Sequence, residues 1–155
     1  MKNKIGLVLF GFYIFQDLFS IKLGFLESWQ LDDSYKTWTG LILFGLILFQ
    51  WYLSLMRVKK DFNSDKKEFY TNIHKWVGVF LPLAFYIHST NIGYGILGLL
   101  SFVFLLNIGI GFLNTEGNLD KNPKYYKWWL ASHIILSVAI VAFTLIHIWI
   151  VFFYN

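Results

Sequence analysis

The sequence predicts an all-α integral membrane bundle of about five transmembrane helices, with its amino terminus inside and its carboxyl terminus outside. Two observations carry the class. Of 155 residues, 57% are hydrophobic and 21% aromatic while only 14% are charged, against about 25% charged in an ordinary soluble domain. The apolar residues also come in blocks: 37–56, 76–115 and 128–155 contain no charged side chain, and a bilayer-crossing helix needs roughly 20 such residues. A third observation sets the orientation. Lys2 and Lys4 precede the first block, Arg57, Lys59, Lys60, Lys66, Lys67 and Lys75 cluster after the second, and Lys121, Lys124 and Lys127 precede the last. Only Lys22 and Lys36 lie elsewhere, beside Glu27, Asp32 and Asp33. Lysine and arginine accumulate on the cytoplasmic side of membrane proteins, which places those clusters inside. The net charge of +4 is thereby explained by topology, and no nucleic-acid partner is expected.

Taken in order, the spans are expected near 5–25, 37–57, 70–90, 92–113 and 129–153, as one domain filling residues 1–155. The first begins like a secretory signal, with Lys2 and Lys4 before the run Ile5 to Phe15. No small-x-small cleavage site follows and apolar character resumes from Leu18 to Leu26, so an uncleaved helix is expected. Asp17 lies about 20 Å along this helix from Lys4; it suits a proton, quinone or haem contact, or an early helix end at the interface, the last being preferred. The second and third spans are separated by a basic connection, the third and fourth by the short Ser89-Thr90-Asn91. Residues 114–127, with Gly117, Asn122 and Pro123, read as a polar inside loop. Trp29, Trp38, Trp76, Trp128, Trp129 and Tyr154 fall near span ends, where aromatic belts form. No repeat of 20–50 residues is present. With no cysteine, disulfides, cysteine-held iron–sulfur clusters and thioether-attached haem are all excluded.

The four histidines, His74, His88, His133 and His147, all fall in the third and fifth spans, and each pair is separated by 14 residues. Fourteen helical residues turn through roughly 1400°, about 40° short of four full turns, and rise about 21 Å. Each helix therefore shows two imidazoles on one face, one toward each membrane surface. Two helices separated by a single span run parallel, which matches His74 with His133 near the inner surface and His88 with His147 near the outer. Facing imidazoles are what a six-coordinate, bis-histidine haem iron requires. A lone histidine at a span end is ordinarily an interfacial or hydrogen-bonded residue. That account explains neither the equal separations nor the lack of any histidine in the loops. A non-haem metal site is the remaining alternative.

Softer features surround the pattern. Gly78 and Ser137 each lie four residues after the inner histidine of their span, where a small side chain leaves room for a macrocycle or simply for a neighbouring helix. Pro82, midway between His74 and His88, is expected to kink its helix. Arg57, Lys75 and Lys127 lie near the inner end and suit haem propionates, or the membrane surface.

At His74-x13-His88 and His133-x13-His147 the sequence resembles the ferric reductase-like transmembrane family of di-haem cytochromes b, and in that pattern alone it is similar to the cytochrome b of quinol:cytochrome c oxidoreductases. The resemblance covers residues 70–155. It implies two haem b groups, with His74 and His133 on the inner iron and His88 and His147 on the outer. Two departures qualify it. The family typically has six spans and its oxidase and reductase branches continue into a flavin- and nicotinamide-binding domain, whereas five spans end this chain outside and no G-x-G-x-x-G fingerprint occurs. The Pro-Glu-Trp-Tyr signature of quinol-oxidising cytochromes b is also missing.

The expected function is electron transfer across the cytoplasmic membrane through two stacked haems, from an inner-side or membrane donor to an outer-side acceptor. A separate donor or acceptor is implied, a flavoprotein or the quinone pool, and the chain reads as a subunit more than a self-contained enzyme. Two rivals are a membrane reductase acting on ferric chelate, oxygen or quinone at the outer haem, and a transporter or structural subunit that uses histidines for a divalent metal.

Overall fold

The computed structural model describes residues 2–113 and 123–153. Among them every element is helical: α1 (Lys2–Leu18), α2 (Gly24–Trp29), α3 (Asp33–Arg57), α4 (Ser64–His88), α5 (Gly95–Leu113) and α6 (Pro123–Phe153). Three of these, α3, α5 and α6, are long and apolar enough to cross a membrane. The protein is thus an all-helical one with membrane-spanning character. The chain divides into two compact units, Met1–Thr90 and Asn91–Asn155, taken here in turn.

In the first unit α4 packs against both α3 and α1. Helices α3 and α4 start on side-chain caps: Asp32 accepts the Tyr35 amide at 2.7 Å and Asn63 the Lys66 amide at 3.0 Å, each satisfying a donor the first turn leaves unpaired. The short connection 58–63 makes them antiparallel neighbours. Buried Leu43, Ile47 and Leu53 of α3 and Val79, Leu81, Pro82 and Phe85 of α4 fill the interior. On the other flank Tyr13 is fully enclosed, with its ring 5.0 Å from Phe85 and edge-on to Tyr86 at 6.2 Å.

Helix α4 is as long as α3 but carries Asp65, Lys66, Lys67, Glu68 and Lys75 in its first half, and it is not among the three helices apolar enough to cross. It continues as helix through Pro82, although that residue cannot donate to the Gly78 carbonyl one turn back.

The first expected span, 5–25, is shorter than the apolar run implied. Helix α1 stops at Leu18, and at 17 residues it is about 25 Å long, less than a hydrocarbon core of about 30 Å. The stop is a Schellman closure. Ile21 donates its amide to the Gln16 carbonyl at 2.9 Å, Ser20 donates to the Asp17 carbonyl at 3.2 Å, and Ser20 takes the left-handed conformation with φ 52°. That pair of bonds around one left-handed residue satisfies the terminal carbonyls and turns the chain out of the helix. Asp17 lies in this last turn, where a helix end was expected. Apolar residues resume beyond it in the separate, short α2.

In the second unit α5 and α6 pack on each other. The turn into α5 uses Gly93 and Gly95, at φ 82° and 58°; a Cβ on Gly93 would stand 3.0 Å from the Leu97 Cβ. Across the pair Trp129 Nε1 donates to the Ile110 carbonyl at 2.7 Å, and Asn107 Nδ2 lies 3.5 Å from Ser137 Oγ. Helix α6 has 31 residues, about 46 Å, and begins at Pro123. The expected loop 114–127 is therefore helical from 123 onward, because proline's fixed φ and missing amide suit the first helical position. The rest of that loop, with Gly117, Lys121 and Asn122, lies outside the described residues, as do Tyr154 and the carboxyl terminus.

Leu53 is 1% exposed and Leu55, two residues on, 59%. Leu53→Ala should lower stability by about 2 kcal/mol or more through the cavity it leaves, and Leu55→Ala should change it by less than about 0.5 kcal/mol, both read from thermal unfolding in detergent.

Candidate functional site

Each histidine is half-buried on its helix, and the helix partner within its unit decides how the ring is held. On α4 both imidazoles turn toward α3. His74 Nδ1 lies 3.5 Å from Ser54 Oγ and its carbonyl receives Gln50 Nε2 at 3.1 Å. At the far end His88 Nδ1 lies 3.2 Å from Thr39 Oγ1. The 14-residue spacing does put both rings on one face. The face of α3 that meets them has hydroxyls 15 residues apart in an antiparallel run, which makes two polar layers separated by the apolar stretch between.

The Thr39 contact couples the hydroxyl to the His88 tautomer. Its hydroxyl has one proton, and carbonyl oxygens of Tyr35 and Lys36 stand 2.8 Å and 3.2 Å away. Those oxygens can only accept. That proton has three acceptors in reach, the two carbonyls and His88 Nδ1; given to a carbonyl, it leaves Thr39 Oγ1 to accept from His88 Nδ1–H, with the neutral ring's lone pair on Nε2. That is the arrangement of a metal-ligating histidine, whose second nitrogen donates to a fixed acceptor. Gly40 makes the approach possible. A Cβ there would stand 3.0 Å from His88 Cε1 and 3.4 Å from Nδ1, so any larger residue pushes the ring off α3.

On α6 the His133 ring stacks on Trp129, with centroids 5.8 Å apart and planes within 7°. Gly111 of α5 lies beneath it, where a Cβ would be 3.4 Å from Cε1. His147 stands 14 residues further along, one turn beyond the buried Thr144.

The small residues expected to clear space for a macrocycle are used by helix packing within their own units. Gly78 faces α3, where its Cβ would meet Gln50 Nε2 at 3.3 Å. Ser137 meets Asn107 of α5. Of the basic candidates, Arg57 ends α3 and Lys75 adjoins His74, both half-buried, while Lys127 is exposed in the second turn of α6. Arg57 and Lys75 thus belong to the same end of the α3–α4 pair as His74.

Among the described residues no group of three or more His, Cys, Asp or Glu gathers. No protein-family model, curated protein or solved structure matches the chain. The reading therefore stands on residues and geometry.

Sequence reasoning missed Thr39, Gly40 and Ser54. A signal existed: two hydroxyls on the second span repeat, within one residue, the separation of the histidines on the third. Thr39→Val keeps the shape but removes the acceptor, and should shift the His88 tautomer ratio by about 1 kcal/mol, roughly fivefold, toward Nε2–H. Nitrogen chemical shifts of the labelled imidazole check this.

Proposed function

We propose that this chain is a membrane electron-transfer protein that holds two haem b groups, His74 and His133 ligating the inner one and His88 and His147 the outer. The observation that carries the proposal is the pair of 14-residue histidine spacings on two spans, joined to the Thr39 hydroxyl beside His88 Nδ1, which suits a ring that ligates through Nε2. In this reading α1, α3, α4, α5 and α6 are the five crossing helices. The amino terminus and the basic α3–α4 connection face the cytoplasm, as the lysine and arginine excess favours. The ligand pattern also aligns the chain with ferric reductase-like di-haem cytochromes b.

When bound, haem b supplies a one-electron iron couple. The protein's residues do the rest. The imidazoles would hold iron through Nε2, and an Nδ1–H bond from His88 to Thr39 would fix ring orientation and raise the basicity of the ligating nitrogen. Apolar residues between the two polar layers of α3 and α4 exclude water. Arg57, Lys75 and Lys127 are the cations available to propionates at the inner end. Two sites about 21 Å apart along a helix span most of a hydrocarbon core about 30 Å thick, which suits transfer of single electrons from an inner donor, a flavoprotein or quinol, to an outer acceptor.

The purified chain should show b-type bands in reduced-minus-oxidised spectra and two haems per chain. His88→Ala and His147→Ala should each remove the same haem, and His74→Ala and His133→Ala the other. A preparation without porphyrin bands, or with loss of different haems within a pair, would refute the proposal.

A further inference from the structure

His88 is the last residue of α4, and a helix end is where backbone position is least determined. The last four carbonyls of a helix have no intrahelical donor, and away from water each must be satisfied by something else. Here two of them, those of Tyr86 and Ile87, find partners more than 50 residues earlier in the chain. Ser89 closes the Phe85 carbonyl at 2.7 Å. The Gln30 amide then takes the next two: its Nε2 donates to the carbonyls of Tyr86 at 2.9 Å and Ile87 at 3.0 Å. Its Oε1 accepts from the backbone amide of Thr90 at 3.1 Å and from the Thr90 hydroxyl at 2.9 Å. Both ends of one side chain are therefore committed, one on each side of His88. Tyr35 adds a hydroxyl to the Ile87 carbonyl at 3.2 Å, and buried Gln16 donates to the Thr90 carbonyl at 2.9 Å.

We infer that Gln30 is a positioning residue for His88: by bridging residues 86–87 to residue 90 it fixes the backbone that aims the imidazole, and so governs the outer haem alone. This rests on the proposal that His88 ligates that haem. The connection between α1 and α3 thereby acquires a role at the redox centre. Simple capping would satisfy carbonyls but would not need to grip both sides of the ligand residue. A carboxylate at this position would keep the two bonds to Thr90 and lose the two to Tyr86 and Ile87, so Gln30→Glu separates the halves of the grip. Leu31, adjacent and 76% exposed, provides the control.

The full chain in lipid nanodiscs is compared as wild type, Gln30→Ala, Gln30→Glu and Leu31→Ala. Amide hydrogen exchange at Thr90 reads the grip without reference to haem. The midpoint potential, low-spin electron paramagnetic resonance signal and retention of the haem that His88→Ala removes read the consequence. Gln30→Ala should speed Thr90 exchange roughly fivefold and weaken retention of the outer haem about tenfold, with a shifted potential, while the inner signal is unchanged. Gln30→Glu should keep Thr90 protected yet still shift the outer signal, and Leu31→Ala should match wild type. Faster exchange with an unaltered outer haem would overturn the inference and leave Gln30 a helix cap. Equal loss of both haems in Gln30→Glu would overturn it too, since the effect would not be confined to His88. A wild-type chain without haem would instead overturn the parent proposal, which the two-haem control separates from failure of this one.

Discussion

In an apolar solvent a polar group that finds no partner is expensive, and that constraint organises this protein more than apolar burial does. Lipid tails are as hydrophobic as leucine, so contact between apolar faces gives helices little reason to choose one neighbour over another. The choice falls to the few polar side chains that point inward. Gln16 reaches the Thr90 carbonyl, Gln50 the His74 carbonyl, Thr39 the His88 ring, and Trp129 the Ile110 carbonyl. Each of these joins two elements of one unit. Tyr13, fully enclosed against Phe85 and Tyr86, adds shape where the hydrogen bonds add register.

The histidines sit inside this scheme. Glycine appears beside two of them, Gly40 against His88 and Gly111 against His133, so that an imidazole can lie close to a helix backbone where a side chain would hold it away. A hydroxyl or an indole then restricts the ring: Thr39 by a hydrogen bond, Trp129 by stacking. In the proposed function, rings held in this way would need little reordering to ligate a metal centre, whose affinity and potential would depend on those neighbours as much as on the histidines.

Much of the fold was legible because the apolar runs are long and their ends are marked by charge. The expected spans 37–57, 92–113 and 129–153 correspond to α3, α5 and α6, each apolar enough to cross a membrane. The end of α1 was not legible as a turn: Ser20 in a left-handed conformation is a feature of backbone closure, and serine announces it weakly. At the candidate site the histidines were legible through their equal spacing. Gln30 was not, since a single glutamine between helices has no periodicity and no motif; its meaning lies in atoms 56 to 60 residues away.

The sequence by itself determined the class of the protein, its helical content and the axial separation of its histidines, because hydrophobic run length and the helical repeat are local properties. Tertiary structure alone decided which hydroxyl meets His88 Nδ1 and what secures the last turn of α4. Both depend on hydrogen bonds between residues distant in the chain, whose partners are set by how α3 and the α1–α3 connection pack against α4.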